Sequence, residues 1–189
     1  MSQSDLYIFQ LQHAVALARD QEAYKILFKY FHQSLIRFGT SIVKSKEAAE
    51  EIYSDIMLKI WDLGAKLIEI DNLKIYLFIS VKNASLNYLA KYYKLKTVDI
   101  ETIHLELQHV KTPEEDFLSS EFQRSLTQAI KSLPAKSQLV FKLIKEEGFS
   151  YKQVADVLEI SVNTVEGHMS TALKKLSTLL STYLRTGNK

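Results

Sequence analysis

In the last third of the chain, Asn163, Gly167, Ser170, Thr171 and Lys174 recur at helical spacing on one side of a single segment. Amide and hydroxyl groups of this size hydrogen-bond to base edges in a DNA groove, and an ammonium holds a phosphate. A second constellation lies upstream, where Ser80, Asn83, Asn87, Lys91 and Lys94 share one stripe at about 100° per residue. Tyr88, Tyr92 and Tyr93 interleave with its lysines. Aromatic rings beside cations stack unpaired bases while the charges hold the backbone. Between Val81 and Val98 there are four lysines (82, 91, 94 and 96) and no acid, so Lys82 is counted with this cationic group. Each constellation also has a plainer reading: a solvated helix face in one case, a lysine-rich surface over core tyrosines in the other.

No comparable grouping points to catalysis. The five histidines (13, 32, 104, 109 and 168) are scattered, and there is no His-Glu-x-x-His pair, dinucleotide-binding glycine loop or phosphate-binding Gly-x-x-x-x-Gly-Lys motif. The absence of cysteine removes thiolate nucleophiles, thiolate metal sites and iron–sulfur clusters. Glu47, Glu50, Glu51 and Asp55 form an acidic run, but it opens a helix, where the dipole favours acids, and no nucleophile stands beside it. The expectation is a protein that is not an enzyme, with no metal, no cofactor and no small-molecule substrate.

The downstream constellation is positioned by GFSYKQVADVLEISVNTVEGHMSTALKKL, which reads as a short helix, a turn and a second helix. Gly148 closes the preceding helix, Ser150 with Gln153 has capping-box spacing, and Ser161 caps the second helix. Ala155, Ile160 and Val165 supply the small and apolar contacts that lock a helix-turn-helix, and Val165, Met169, Leu173 and Leu176 form the inward stripe. Glu159 stands in the turn where glycine is usual, and a left-handed conformation there costs about 1 kcal/mol. Glu166 either accepts from cytosine N4 or faces solvent, and His168 flanks the outward face. The upstream constellation rides on a helix whose other side, Leu77, Val81, Ser85, Tyr88 and Tyr92, faces a core. The helix before it, KSKEAAEEIYSDIMLKIWDLG, carries Ile52, Ile56, Ile60 and Leu63 inward and presents an outer edge suited to contact.

Apolar spacing near 3.6 residues predicts helices at about 5–18, 21–43, 46–63, 72–93, 113–132, 134–147, 150–157 and 161–182. The stretch 94–112 has weaker periodicity and divides them into two groups. Thr112, Pro113 and Glu115 then signal a helix start. The 189 residues are 47% hydrophobic, with five Gly and two Pro, too few punctuators for an all-β chain and too apolar for a disordered one. The fold class expected is all-α, with two small helical domains, residues 1–93 and 113–189, joined by a flexible linker, 94–112. Twenty-four basic against 22 acidic residues leave +2, so any hold on a polyanion must be local. Lack of cysteine fits a reducing cytoplasm. No basic start precedes an apolar block and no 18 apolar residues run together, so no membrane insertion is expected.

These motifs resemble the sigma-70 family of bacterial RNA polymerase initiation factors, in its short extracytoplasmic-function (ECF) group. AYKILFKYFHQSLIRFGTSIVKSKEAAEEIYSDIMLKIWD with LKIYLFISVKNASLNYLAKYY resembles sigma region 2, and TPEEDFLSSEFQRSLTQAIKSLPAKSQLVFKLIKEEGFSYKQVADVLEISVNTVEGHMSTALKKL resembles region 4. The resemblance implies a transcription initiation factor that binds core RNA polymerase, directs it to promoter DNA and helps melt it. By position it places Asp55, Lys59 and Trp61 on the helix that docks on polymerase. Ser80, Lys82, Asn83, Asn87, Lys91 and Tyr92 fall on the segment that takes the minus-ten element as single strand. Asn163, Gly167, Ser170, Thr171 and Lys174 fall on the helix that enters the minus-thirty-five groove, with Ser161, Thr164, Glu166, His168 and Lys175 completing that set. An anti-sigma partner is implied as well. Glu159 in the turn, and Glu166 with Gly167, depart from the family pattern.

Two other readings stand against this one. The C-terminal segment also resembles the helix-turn-helix of one-component and response-regulator transcription regulators, but the first half lacks the βα alternation of a receiver domain. A helical adaptor that never touches DNA predicts no salt-dependent DNA affinity.

Overall fold

The computed structural model describes residues 3–92 and 121–186. Among them every element is helical, as expected of an all-α chain, and the chain divides into two compact units, Met1–Ile103 and His104–Lys189. The expected linker 94–112 and the helix start at Thr112 and Pro113 lie outside the described residues.

The first unit contains α1 (Gln3–Ala18), α2 (Gln21–Val43), α3 (Lys46–Leu63), a 3-10 turn (Gly64–Glu69) and α4 (Leu73–Tyr92). Local chemistry sets each boundary. Asp20 caps α2, its carboxylate accepting from the amides of Glu22 at 2.9 Å and Ala23 at 3.0 Å. Lys44 ends α2 in a left-handed conformation (φ 62°), and Ser45 caps α3 by accepting from the Ala48 amide. Glu47 follows in the first turn, and its carboxyl pKa is lowered by hydrogen bonds from its own backbone amide and the Ser45 hydroxyl. Gly64 (φ 54°) stops α3, and Asn72 caps α4 through the Ile75 amide.

The core follows from the periodicity. Leu27, Phe31, Leu35 and Ile42 of α2 meet Ile56, Met57 and Ile60 of α3 and Leu77, Phe78 and Val81 of α4, all 4% exposed or less. A fully buried side chain of this kind contributes about 1.5–3 kcal/mol, and the helices approach closely enough to realise it. The helices approach closely at Gly39, where a Cβ would lie 3.2 Å from Ala49 Cβ and 3.3 Å from Val81 Cγ1, tight enough that a larger residue there requires its neighbours to shift by a few tenths of an ångström. Leu63, expected inside, is half-buried at the end of α3.

The second unit contains α5 (Glu121–Lys131), α6 (Ala135–Lys145), α7 (Tyr151–Leu158) and α8 (Val162–Thr186). Ala129 and Leu133 pack on Ala172 and Leu176, with Ile130 and Phe141 at the margin. Gln138, 4% exposed, donates its amide to the Ile130 carbonyl at 2.9 Å and ties α6 to the end of α5. Leu139, Val140 and Leu143 of α6 are buried, as are Val154, Val157 and Leu158 of α7 and Val165 and Met169 of α8.

Candidate nucleic-acid interface

The corner before α7 forms as its sequence predicts. Gly148 turns with φ 72°, the Gln153 amide donates to Ser150 Oγ at 3.2 Å, and the Ser150 amide donates to Gln153 Oε1 at 2.8 Å. Glu159 ends α7 in the left-handed region (φ 55°, ψ 42°), with its own amide and that of Ile160 both donating to the Ala155 carbonyl. Ser161 caps α8: its Oγ accepts from the Thr164 amide at 3.0 Å and lies 2.8 Å from Thr164 Oγ1. Ala155 and Val165, 6% and 0% exposed, lock the two helices together.

One open face of α8 carries Asn163, Glu166, Gly167, Ser170, Thr171 and Lys174, all exposed. Nothing lies within 4 Å of a Cβ placed on Gly167, and Thr171 donates its hydroxyl back to the Gly167 carbonyl at 2.9 Å, leaving its oxygen as an acceptor. Four residues expected on this surface have their polar groups engaged elsewhere. The hydroxyls of Ser161 and Thr164 are engaged in the cap, and the Lys175 ammonium donates to the Ser132 carbonyl just past α5. His168 is half-buried, with Nδ1 3.3 Å from Ser137 Oγ on α6. Burial lowers its pKa, and the charge of Lys136 lowers it further. The inward stripe needs one correction: Leu173 is 48% exposed, and Ala172, fully buried, occupies the core position three residues after Met169.

On α4, Asn83, Asn87 and Lys91 are exposed on one side with Ser80 half-buried beside them. Lys82 is a correction. It is 1% exposed, because two residues past Ser80 a helix has turned about 200°, which brings it between the core positions Phe78 and Ser85. A side chain so placed cannot touch DNA without the unit opening. Tyr92 corrects the expectation in the other direction: assigned to the core side, it is 72% exposed, with its ring stacked on Tyr88 (centroids 5.6 Å apart, planes at 18°). Tyr76, which the sequence reading did not single out, is 39% exposed one turn before Ser80 on the same stripe. Its i, i+4 spacing to Ser80 was the available signal.

On α3, Asp55 and Lys59 are exposed one turn apart, with Leu58, 59% exposed, between them. Trp61 is not brought to them. Its indole is half-buried under the Arg19 guanidinium, 4.1 Å from the ring centroid, and meets Tyr24 edge-on at 5.1 Å. Arg19, held at φ 52° between α1 and α2, also donates to the Trp61 carbonyl. No signal in the spacing predicted this clasp, since the two residues are 42 apart.

No helix among the described residues is long and apolar enough to cross a membrane. No group of three or more His, Asp or Glu residues among them could hold a metal ion. Two capped helices, α4 and α8, each present a face of amide, hydroxyl and ammonium groups, a chemistry suited to base edges and phosphates.

Comparison with known proteins gives two family matches, in the order expected. Residues 27–94 match the family described as Sigma-70 region 2, and residues 123–176 match Sigma-70, region 4. Over 63 residues the chain is 35% identical to the ECF RNA polymerase sigma-E factor of Haemophilus influenzae, a stretch that spans 33% of either protein. Among solved structures, CnrH in complex with the cytosolic domain of CnrY resembles it with a TM-score of 0.54 at 21% identity, covering 93% of this chain and 98% of that one. At that identity the likeness speaks to the fold.

Proposed function

The chain belongs to the sigma-70 family, in its ECF group, and we propose that it is a transcription initiation factor that binds core RNA polymerase, directs it to promoters and assists DNA melting. The observation that carries this reading is the pairing of region 2 at 27–94 with region 4 at 123–176 in one chain, because a regulator built on a helix-turn-helix alone has no use for the first. In this reading residues 1–93 bind polymerase and the minus-ten element, 94–112 form a linker, and 113–189 read the minus-thirty-five element.

The division of labour rests on chemistry. The exposed stripe Asn83, Asn87 and Lys91 with the stacked Tyr88–Tyr92 pair suits unpaired bases and their phosphates. The open face of α8, with Asn163, Glu166, Gly167, Ser170, Thr171 and Lys174, suits a major groove. Asp55 and Lys59 belong to a polymerase-docking edge, with Trp61 at its flank. The protein is not an enzyme in its own right, works in the cytoplasm where polymerase is, and is held in check by an anti-sigma partner.

Run-off transcription tests the proposal. Purified core polymerase is given genomic fragments, including the region upstream of this protein's own gene, with and without the chain. Specific start sites that depend on the chain are expected. DNA binding without polymerase, together with no initiation in its presence, would overturn the proposal in favour of a stand-alone helix-turn-helix regulator.

A further inference from the structure

The polymerase-docking edge on α3 and the strand-binding stripe on α4 are joined by residues 64–72, and this connector is fastened to a helix that the region 2 match leaves out. Gln12 lies on α1, before the matched residues 27–94. It is 3% exposed in the otherwise apolar inward face formed by Ile8, Leu11, Val15 and Ala16. Its Nε2 donates twice, to the Leu67 carbonyl at 2.7 Å and to the Ile70 carbonyl at 2.8 Å. Both hydrogens of one amide are therefore spent on the backbone of the connector, across a sequence separation of 55 and 58 residues. Leu67 is itself fully buried, and besides the Gln12 amide its carbonyl accepts, among the described residues, only the longer bond from the Ile70 amide at 3.3 Å, with no bulk water at hand to replace Gln12. Beyond α1, Arg19 at the corner with α2 donates to the Trp61 carbonyl in the last turn of α3, just ahead of the connector.

An apolar side chain at position 12 would bury more hydrophobic surface than the amide does, so hydrophobic packing alone does not account for a glutamine here. What the amide adds is geometry. It holds the two carbonyls that bracket Ile68 and Glu69, just ahead of the entry into α4, whose first turn is capped by Asn72 two residues past Ile70. We infer that Gln12 is a positioning residue: by clamping the connector onto α1 it sets the strand-binding stripe of α4 relative to the docking edge of α3. This rests on the proposed function, since it assigns the two faces to polymerase and to the melted strand.

The test compares the parent with Gln12→Met, which keeps the length and apolar body and removes both donors, and with Gln12→Asn, whose shorter amide keeps donors but cannot span both carbonyls. Two affinities are measured for each full-length protein. One is for core polymerase; the other is that of the assembled holoenzyme for a fork DNA single-stranded across the minus-ten segment of a promoter found by run-off transcription. Expected are core affinities within twofold of the parent, a loss of about tenfold in fork affinity for Gln12→Met, and an intermediate loss for Gln12→Asn. A merely structural glutamine would lower both affinities together, in step with thermal stability, and that result or an unchanged fork affinity would overturn the inference. If Gln12→Met does not fold by circular dichroism, the same criteria are applied to Gln12→Asn. A parent that binds neither core nor fork would instead sink the functional reading, so the two failures are distinguishable.

Discussion

Gly167 and His168 are neighbours on α8, yet they answer to different forces. Gly167 is exposed in mid-helix, where glycine costs about 1 kcal/mol relative to alanine, and no atom lies within 4 Å of the Cβ it lacks. Gly167→Ala is accordingly expected to stabilise the second unit by about 1 kcal/mol, seen as a higher midpoint in denaturant by circular dichroism. The stability is not expected to carry over to DNA if this face lies in a groove, since the methyl would stand between backbone and bases. His168 is governed by burial against α6. Its pKa is held below the usual 6.5, so the folded state favours the neutral ring and the unfolded state takes up a proton first as pH falls. Its contribution to stability is thus complete above about pH 6.5 and is lost as the pH drops below that value toward the folded pKa. An NMR titration should place the His168 midpoint below 6.5, and His168→Gln should flatten the acid limb of the stability profile; a midpoint at or above 6.5 would contradict the burial argument.

At the scale of elements, α8 presents the cation of Lys174 toward the open face while Lys175 is drawn to the end of α5. Lys174→Ala should weaken duplex binding about equally for all sequences and lower the salt slope by about one, measured by titration at several salt concentrations; an unchanged slope would remove that phosphate contact. Lys175→Ala should leave the slope alone. Elements were the most legible level of this chain. Among the described residues, expected and observed helices agree within a few residues at Ser45, Gly148, Ser150 and Ser161, because capping groups and a turn glycine act within their own turn. The 3-10 turn at Gly64–Glu69 was not anticipated, being too short to establish a period and held by a glutamine more than fifty residues away. Lys82 and Leu173 were misplaced for a related reason. A charge count ignores helical phase, and a stripe drawn every four residues drifts off the true period of about 3.6 within a few turns. Trp61 was legible as a residue of interest, but its Arg19 cover is tertiary and leaves no mark on local spacing.

At the scale of the whole molecule, a formal charge of +2 on 189 residues gives no long-range field with which to collect DNA. Under the proposed function, affinity comes from two local arrays on separate units, so that promoter choice is a conjunction: a duplex contact by one unit and a single-strand contact by the other. Each unit has its own buried core, the first around Leu27, Phe31 and Ile60, the second around Ala129, Leu133, Ala172 and Leu176. The indole beneath Arg19 belongs to the only tryptophan in the chain, and it sits in the first unit. Intrinsic emission excited at the red edge therefore watches one unit, whereas far-ultraviolet ellipticity sums the helices of both. Followed by these two signals, a single denaturant titration should give curves that part company wherever the units melt at different concentrations, so that the optics of one ring separate the stabilities of the two halves without cutting the chain.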